Sequence, residues 1–360
     1  MQLFDFDDIV LVPEKLSEIS SRSECNPYDD KNFLPLFTAP MDTVVDENNW
    51  DKFSQNRIYS IIPRNLNKDD VSHEERRWYS YGLDQFIDMF INSNKHISDK
   101  PIYALIDIAN GHMNKLYEAA KKAKLMYGDL LVLMVGNIAN PKTYLDFAKI
   151  GVDYIRLGIG NGAGCLTTQQ TGVGYPLASL ISQCFEIKKQ NGLETKIVAD
   201  GGFKKYSDII KALALGADYV MLGSMFNKAL ESAGELYVNK LPDTSEVKQW
   251  ITVDEYFNNL PPMINKEMEY NYYLKNGKFF KQYRGMSTKE VQKSWGKLDV
   301  KTSEGISFYN RVEYNLEGWC NNLKDYLRSA MSYTDSKTLF QFKFSEYQLI
   351  TENAFKRYNK

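Results

Sequence analysis

The amino-acid sequence predicts an α/β protein, a (β/α)8 TIM barrel with an insertion after the eighth strand. Three observations carry that prediction. Short apolar, β-branched or aromatic runs recur eight times, apolar on both faces, as in a parallel sheet covered by helices. The stretches between them have helical periodicity. Glycines and reactive residue types gather at the C-terminal ends of the runs, the face where barrel loops converge. Eight units is also the number that closes on itself; a doubly wound open sheet is the alternative that such alternation admits.

In chain order, the expected strands are 35–39, 58–62, 78–81, 102–107, 130–135, 153–157, 196–199 and 218–222. Among the helices, 206–215 places Ile209, Ile210, Leu213 and Ala214 on one face. After Glu235 the pattern changes. Residues 236–280 are rich in Tyr, Asn, Lys and Glu, with Pro261-Pro262 in the middle and no strand alternation, and read as an insertion. Trp250, Tyr256, Phe257 and Tyr270 supply enough burial to argue against a disordered acidic linker. A last helix, 316–331, spaces Leu316, Trp319, Leu323, Tyr326, Leu327 and Ala330 near the helical period. The chain, 1–360, thus reads as a single catalytic barrel domain with 236–280 inserted in it.

Composition narrows the function classes. A length of 360 residues exceeds the roughly 200–250 that a barrel needs. A net charge of −2 gives no whole-molecule field for nucleic acid or a membrane surface. No apolar run approaches the roughly 20 residues needed to span a bilayer. The first residues are acidic where a signal peptide would be basic and then apolar. Cys25, Cys165, Cys184 and Cys320 lie far apart without CxxC spacing, so neither a zinc site nor a disulfide framework is indicated. The expectation is a cytoplasmic protein with reduced thiols.

The chemistry gathers in a loop. Gly158-Ile159-Gly160-Asn161-Gly162-Ala163-Gly164-Cys165 follows a strand directly, and its glycines free the backbone to turn amides toward an anion or a close-packed ligand. A cysteine there is placed to act as nucleophile; a flexible turn with an inert cysteine is the plainer alternative. The polar continuation, Leu166 to Pro176, is poor in core residues and looks built for a ligand. Asp200-Gly201-Gly202 and Gly223-Ser224 end the seventh and eighth strands, where barrel glycines commonly present amides to a phosphate. Asp200 suits two ribose hydroxyls, since a carboxylate accepts two hydrogen bonds at once; a helix cap is the alternative. Tyr283-Arg284-Gly285-Met286-Ser287 adds a further glycine turn.

These motifs, in this order, resemble the IMP dehydrogenase/GMP reductase family of purine-nucleotide oxidoreductases. The likeness runs from Asp5-Asp7-Asp8-Ile9-Leu11-Val12-Pro13 through Met41-Asp42-Thr43 and the loops above to Leu327-Arg328-Ser329, leaving out 236–280. The resemblance implies that Cys165 attacks C2 of the purine while a nicotinamide exchanges hydride at that carbon. It assigns phosphate to Gly162, Gly201, Gly202, Gly223, Ser224, Gly285 and Met286, and ribose to Asp200. Met41, Tyr283, Ser287, Ser303 and Gly305 complete the nucleotide site. Thr167 and Glu304 pass protons to and from the C2 amino group. A monovalent cation, K+, on backbone carbonyls at Gly160, Gly162 and Cys165 is part of the same implication, as is a homotetramer.

Within the family, the reductase branch is favoured. Thr171-Gly172-Val173-Gly174-Tyr175-Pro176 is similar to the reductase loop, and no paired regulatory domain is present. Only 288–302 separates the glycine turn from Ser303-Glu304-Gly305, without the adjacent Arg-Tyr pair with which dehydrogenases activate water. The implied reaction is NADPH-dependent deamination of GMP to IMP and ammonia, with IMP oxidation or a barrel that has lost catalysis as alternatives. For the cofactor, the resemblance points to Ser21, Arg22, Arg64, Asp107, Ile108, Ala109, Ile159, Gly160, Ser329 and Ser332, with Arg64 standing where the family usually has lysine, and the arginines suit a 2′-phosphate. Four departures stand out. Ala163 replaces a serine, Thr168 an arginine, Lys301-Thr302 stands for Arg-Ala, and 236–280 is longer than usual. They open the substrate to a modified or deoxy purine nucleotide.

Overall fold

A computed structural model describes residues 2–66, 71–93, 99–239, 249–261, 263–285, 288–289, 293 and 304–358. After β1 (Ile9–Leu11) come eight parallel strands: β2 (Leu36–Thr38), β3 (Ser60–Ile62), β4 (Arg77–Tyr81), β5 (Ile102–Asp107), β6 (Leu131–Ile138), β7 (Tyr154–Leu157), β8 (Lys196–Asp200) and β9 (Tyr219–Leu222). Each overlaps one predicted run. They pair in the order β2-β9-β8-β7-β6-β5-β4-β3. The two ends of that row meet through a parallel bridge between Phe37 and Tyr59. There the Thr38 N–H donates to the Tyr59 carbonyl at 2.9 Å, and the Tyr59 N–H to the Leu36 carbonyl at 3.1 Å. The ring closes as a (β/α)8 barrel.

The strands read as apolar on both faces because both faces are covered. Every residue of β2, β3 and β9 is buried. Inside the lower half, aromatic side chains fill the barrel. The Phe37 ring lies 5.0 Å from Tyr59, 5.5 Å from Trp78 and 5.2 Å from Tyr219, and Trp78 lies 5.1 Å from Tyr154. Tyr59 and Tyr219 keep their hydroxyls satisfied by donating to Asp29 Oδ2, at 2.7 and 3.1 Å. Outside, helices such as Asn114–Tyr127, Pro141–Lys149, Leu177–Asn191 and Tyr206–Ala214 cover the ring. Pro141–Lys149 shows why one starts where it does: Asn140 accepts from the Lys142 N–H at 2.9 Å, and proline takes the first turn, where no N–H is needed.

The stretch after Glu235 corrects the expectation of no strands. β10 (Leu236–Asn239), β11 (Trp250–Thr252), β12 (Phe280–Arg284) and β13 (Ser307–Arg311) form an antiparallel sheet in the order β11-β10-β12-β13. It has its own core of Val238, Ile251, Val253, Phe257, Phe279 and Val312. β10 and β11 are too short to display a period of two, which hid them in the sequence. Beyond the long helix Leu316–Tyr333, strand β14 (Tyr347–Leu349) returns to pair antiparallel with β1. Among the described residues, no helix is long and apolar enough to cross a membrane.

Candidate active site

The loops after β5, β6, β7, β8 and β9 open into one cavity at the C-terminal face of the barrel, where the β12–β13 hairpin reaches over it. The cysteine loop leaves β7 and is held from two sides. On the hairpin side it extends the small sheet: Cys165 bridges Gly305, the Leu166 N–H donates to the Glu304 carbonyl at 2.7 Å, and the Ile306 N–H to the Gly164 carbonyl at 3.0 Å. Gly164 and Gly285 must both lack side chains for this approach, since a Cβ on Gly285 would stand 2.2 Å from the Gly164 oxygen. On the barrel side, the Thr168 hydroxyl lies 3.2 Å from the Ile159 carbonyl and 2.8 Å from that of Val173, cross-bracing the loop where an arginine was expected from the resemblance.

These constraints bring the three expected catalytic residues together. The Cys165 thiol donates to Thr167 Oγ1 at 3.3 Å, and the Thr167 hydroxyl donates to Glu304 Oε2 at 2.5 Å. A carboxylate is thereby linked through one hydroxyl to a thiol 139 residues away (304 − 165). Met41, Gly162, Asp200, Gly201, Gly202, Gly223, Ser224, Tyr283 and Gly285 line the same cavity. Gly201 and Gly202 both take positive φ, 89° and 83°, a turn that other residues adopt only with strain. The buried Tyr283 hydroxyl donates to the Met41 sulfur at 3.4 Å, and burial pushes its pKa up, with the charges of Asp200 and Cys165 adding to the effect. Gly305 pairs with Cys165 through an antiparallel backbone bridge. Met286, Ser287 and Ser303, like Lys301-Thr302, lie outside the described residues.

Two expected phosphate and cation contacts are partly committed elsewhere. The Gly285 N–H donates to the Ile306 carbonyl at 2.9 Å and so braces the hairpin. The Gly162 carbonyl, named for a cation, accepts the Cys165 N–H at 2.9 Å.

The expected cofactor residues fall into two groups. Arg64, Asp107, Ile108, Ala109, Ile159 and Gly160 line the cavity. Arg64 donates to the Asp107 carbonyl at 3.2 Å, and burial holds its pKa down. Ser21, Arg22, Ser329 and Ser332 are absent from the cavity wall and gather on another patch. There the short helix Arg22–Glu24 packs on Leu316–Tyr333, and Arg328 Nε donates to the Cys25 carbonyl at 3.2 Å. Arg22 is exposed there, so the two arginines read together in sequence stand apart.

Three polar residues of the cavity were not among the expected site residues: Asn137, Arg156 and Asn161. Arg156 lies under the cavity between two carboxylates, 2.7 Å from Asp107 Oδ1 and 3.0 Å from Asp200 Oδ2. Burial works against its charge, but the carboxylates of Asp200 and Asp107 more than offset that, and its pKa is raised. Asn137 Nδ2 donates to Asp200 Oδ2 and to the Gly158 carbonyl, each at 2.7 Å. A signal existed for Arg156, a single cation inside an apolar strand run, which demands a buried partner.

Fold and site define the class: a (β/α)8 barrel whose sixth barrel strand leads into a glycine loop carrying a hydrogen-bonded Cys-Thr-Glu chain. Residues 95–251 match the IMP dehydrogenase / GMP reductase domain. The chain is 28% identical over 370 residues to a GMP reductase of Staphylococcus epidermidis, covering 99% of this chain and 98% of that protein. It is 29% identical over 365 residues to a GMP reductase of Streptococcus agalactiae, covering 97% and 95%. Over nearly its whole length the chain is thus similar to proteins of the IMP dehydrogenase/GMP reductase family.

Proposed function

We propose that this protein is a GMP reductase, converting GMP, NADPH and protons to IMP, NADP+ and ammonia. The observation that carries the reading is the Cys165–Thr167–Glu304 chain at the mouth of a glycine-lined cavity. In this reading the Cys165 thiol passes its proton through the Thr167 hydroxyl to Glu304 as the sulfur adds to purine C2, and the C2=N3 bonding electrons move to N3. Glu304, through the Thr167 hydroxyl, delivers the proton that lets the C2 amine depart as ammonia, since an amine is a poor leaving group until protonated. The purine is left bonded to Cys165 as a thioimidate. NADPH, when bound, supplies the hydride that reaches C2, and the Cys165 sulfur departs with its bonding electrons. Asp200 holds ribose, and Gly201, Gly202, Gly223 and Ser224 turn toward the phosphate. Arg64 and Asp107 fit the nicotinamide end, one side chain cationic and one anionic beside the reacting carbon's cavity.

Absorbance at 340 nm tests the reading. It should fall when the enzyme meets GMP and NADPH, with IMP and ammonia released, and IMP with NAD should give no comparable rise. Robust NADH formation from IMP would overturn the reductase assignment and leave the role of Cys165 standing. Turnover of a deoxy or modified purine nucleotide in place of GMP would shift the substrate toward the departures at Ala163 and Thr168. Comparing K+ with Na+ buffers tests the loop cation, and light scattering tests the homotetramer.

A further inference from the structure

One polar group of the cavity has no part in these roles. Asn161 stands in the cysteine loop on the cavity wall, and its Nδ2 is buried without a hydrogen-bond partner among the described residues. A buried donor left unpaired is costly in a folded chain and calls for an explanation. Its surroundings fix its place. A Cβ on Gly158 would stand 3.6 Å from Nδ2 and 2.3 Å from the Asp200 carbonyl oxygen. A Cβ on Gly202 would stand 3.2 Å from the Asn161 carbonyl oxygen, and one on Gly201 3.3 Å from the Asn161 carbonyl carbon. Bare glycines thus let the Asp200 turn close against Asn161, and the amide comes to lie beside Asp200. Asp200 itself commits Oδ2 to Arg156 and Asn137. Two residues further on, Ala163 brings no hydroxyl to the loop.

We propose that Asn161 is a substrate-binding residue, its carboxamide donating a hydrogen bond to an oxygen of the bound nucleotide beside Asp200. It supplies from the side chain at position 161 the donor that Ala163 does not offer. The inference rests on the reading of the cavity as a purine-nucleotide site. The ligand atom is an acceptor oxygen, and a phosphate oxygen or a ribose hydroxyl has the right chemistry.

Calorimetric titration of the wild type, Asn161→Ala and Asn161→Asp with GMP, 2′-deoxy-GMP and guanosine tests this. Both variants should bind GMP about tenfold more weakly, the aspartate included, because it keeps the shape and removes the donor. If the loss appears with both nucleotides and not with guanosine, the acceptor is phosphate. If it appears with GMP and guanosine and not with the deoxy nucleotide, the acceptor is the 2′-hydroxyl. In the ligand-free state, Asn161→Ala should melt no lower than the wild type, because a donor without a partner contributes nothing there. Affinity for GMP within twofold of wild type in both variants would overturn the proposal, as would a large drop in ligand-free melting temperature with all ligands weakened equally. A wild type that binds none of the three would instead overturn the nucleotide reading beneath it.

Discussion

At the scale of single residues, the proposed reaction places reactivity and binding on different groups, and that separation is testable. Cys165→Ala should abolish turnover while nucleotide affinity, set by the glycine turns and Asp200, changes little; more than a few per cent residual activity would sink the covalent route. Glu304→Gln keeps an acceptor for Thr167 but withdraws the acid, so the rate should fall on the order of 100-fold with GMP binding preserved. Loss of affinity at an unchanged maximal rate would make Glu304 a binding residue. Arg156 belongs to stability as much as to the site. Arg156→Met would leave Asp107 and Asp200 buried without their shared cation, a loss of about 3–5 kcal/mol that urea denaturation would register. Cys165, Thr167, Glu304 and Asp200 were legible because each stands in a motif of a known family. Arg156 and Asn137 were not, because their meaning lies in partners 44 to 63 positions along the chain.

Among the elements, the barrel strands were legible and the small sheet was not, for one physical reason. A strand buried on both faces writes an apolar run into the sequence, whereas a short strand of a half-exposed sheet must alternate, and three or four residues are too few to show it. Yet that hidden sheet holds Glu304. The β12–β13 hairpin accepts the cysteine loop at its edge, so the distance from Glu304 to Thr167 is set by backbone pairing. Gly285→Ala tests this directly, since its Cβ would meet the Gly164 oxygen at 2.2 Å. The variant should lose activity by about tenfold or more while circular dichroism still reports a folded barrel. Full activity would show that the pairing does not position the acid.

For the molecule as a whole, one buried cation makes stability depend on pH. Lys281 on β12 is 3% exposed and donates to the Ser232 carbonyl, and burial holds its pKa down to about 8. In the unfolded chain it keeps its proton up to the ordinary lysine value of 10.5. Between those limits the unfolded state holds this proton more often, so the contribution of Lys281 to stability rises with pH, at most by about 1.4 kcal/mol per pH unit. The window to examine is pH 8 to 9.5, below the range where exposed tyrosines ionise in the unfolded chain. Burial pushes up the thiols of Cys25, Cys184 and Cys320, which act with the opposite sign in the same window, so the measurement is a difference: the urea midpoint of the wild type relative to Lys281→Met should gain as pH rises. A difference between wild type and Lys281→Met that shrinks with pH would contradict the assignment.

The pairing of β2 with β9 has a consequence in time. On a ribosome delivering roughly 5–20 residues per second, the ring has all of its strands once residue 222 has emerged. The barrel and its cysteine are then in hand, but Glu304 has not yet been synthesised, and β14, the partner of β1, comes later still. Glu304 therefore arrives at a scaffold whose strands are already made. A nascent chain of this protein carries its thiol before its carboxylate partner, and the Cys165–Thr167–Glu304 chain can close only once residue 304 has followed the barrel strands.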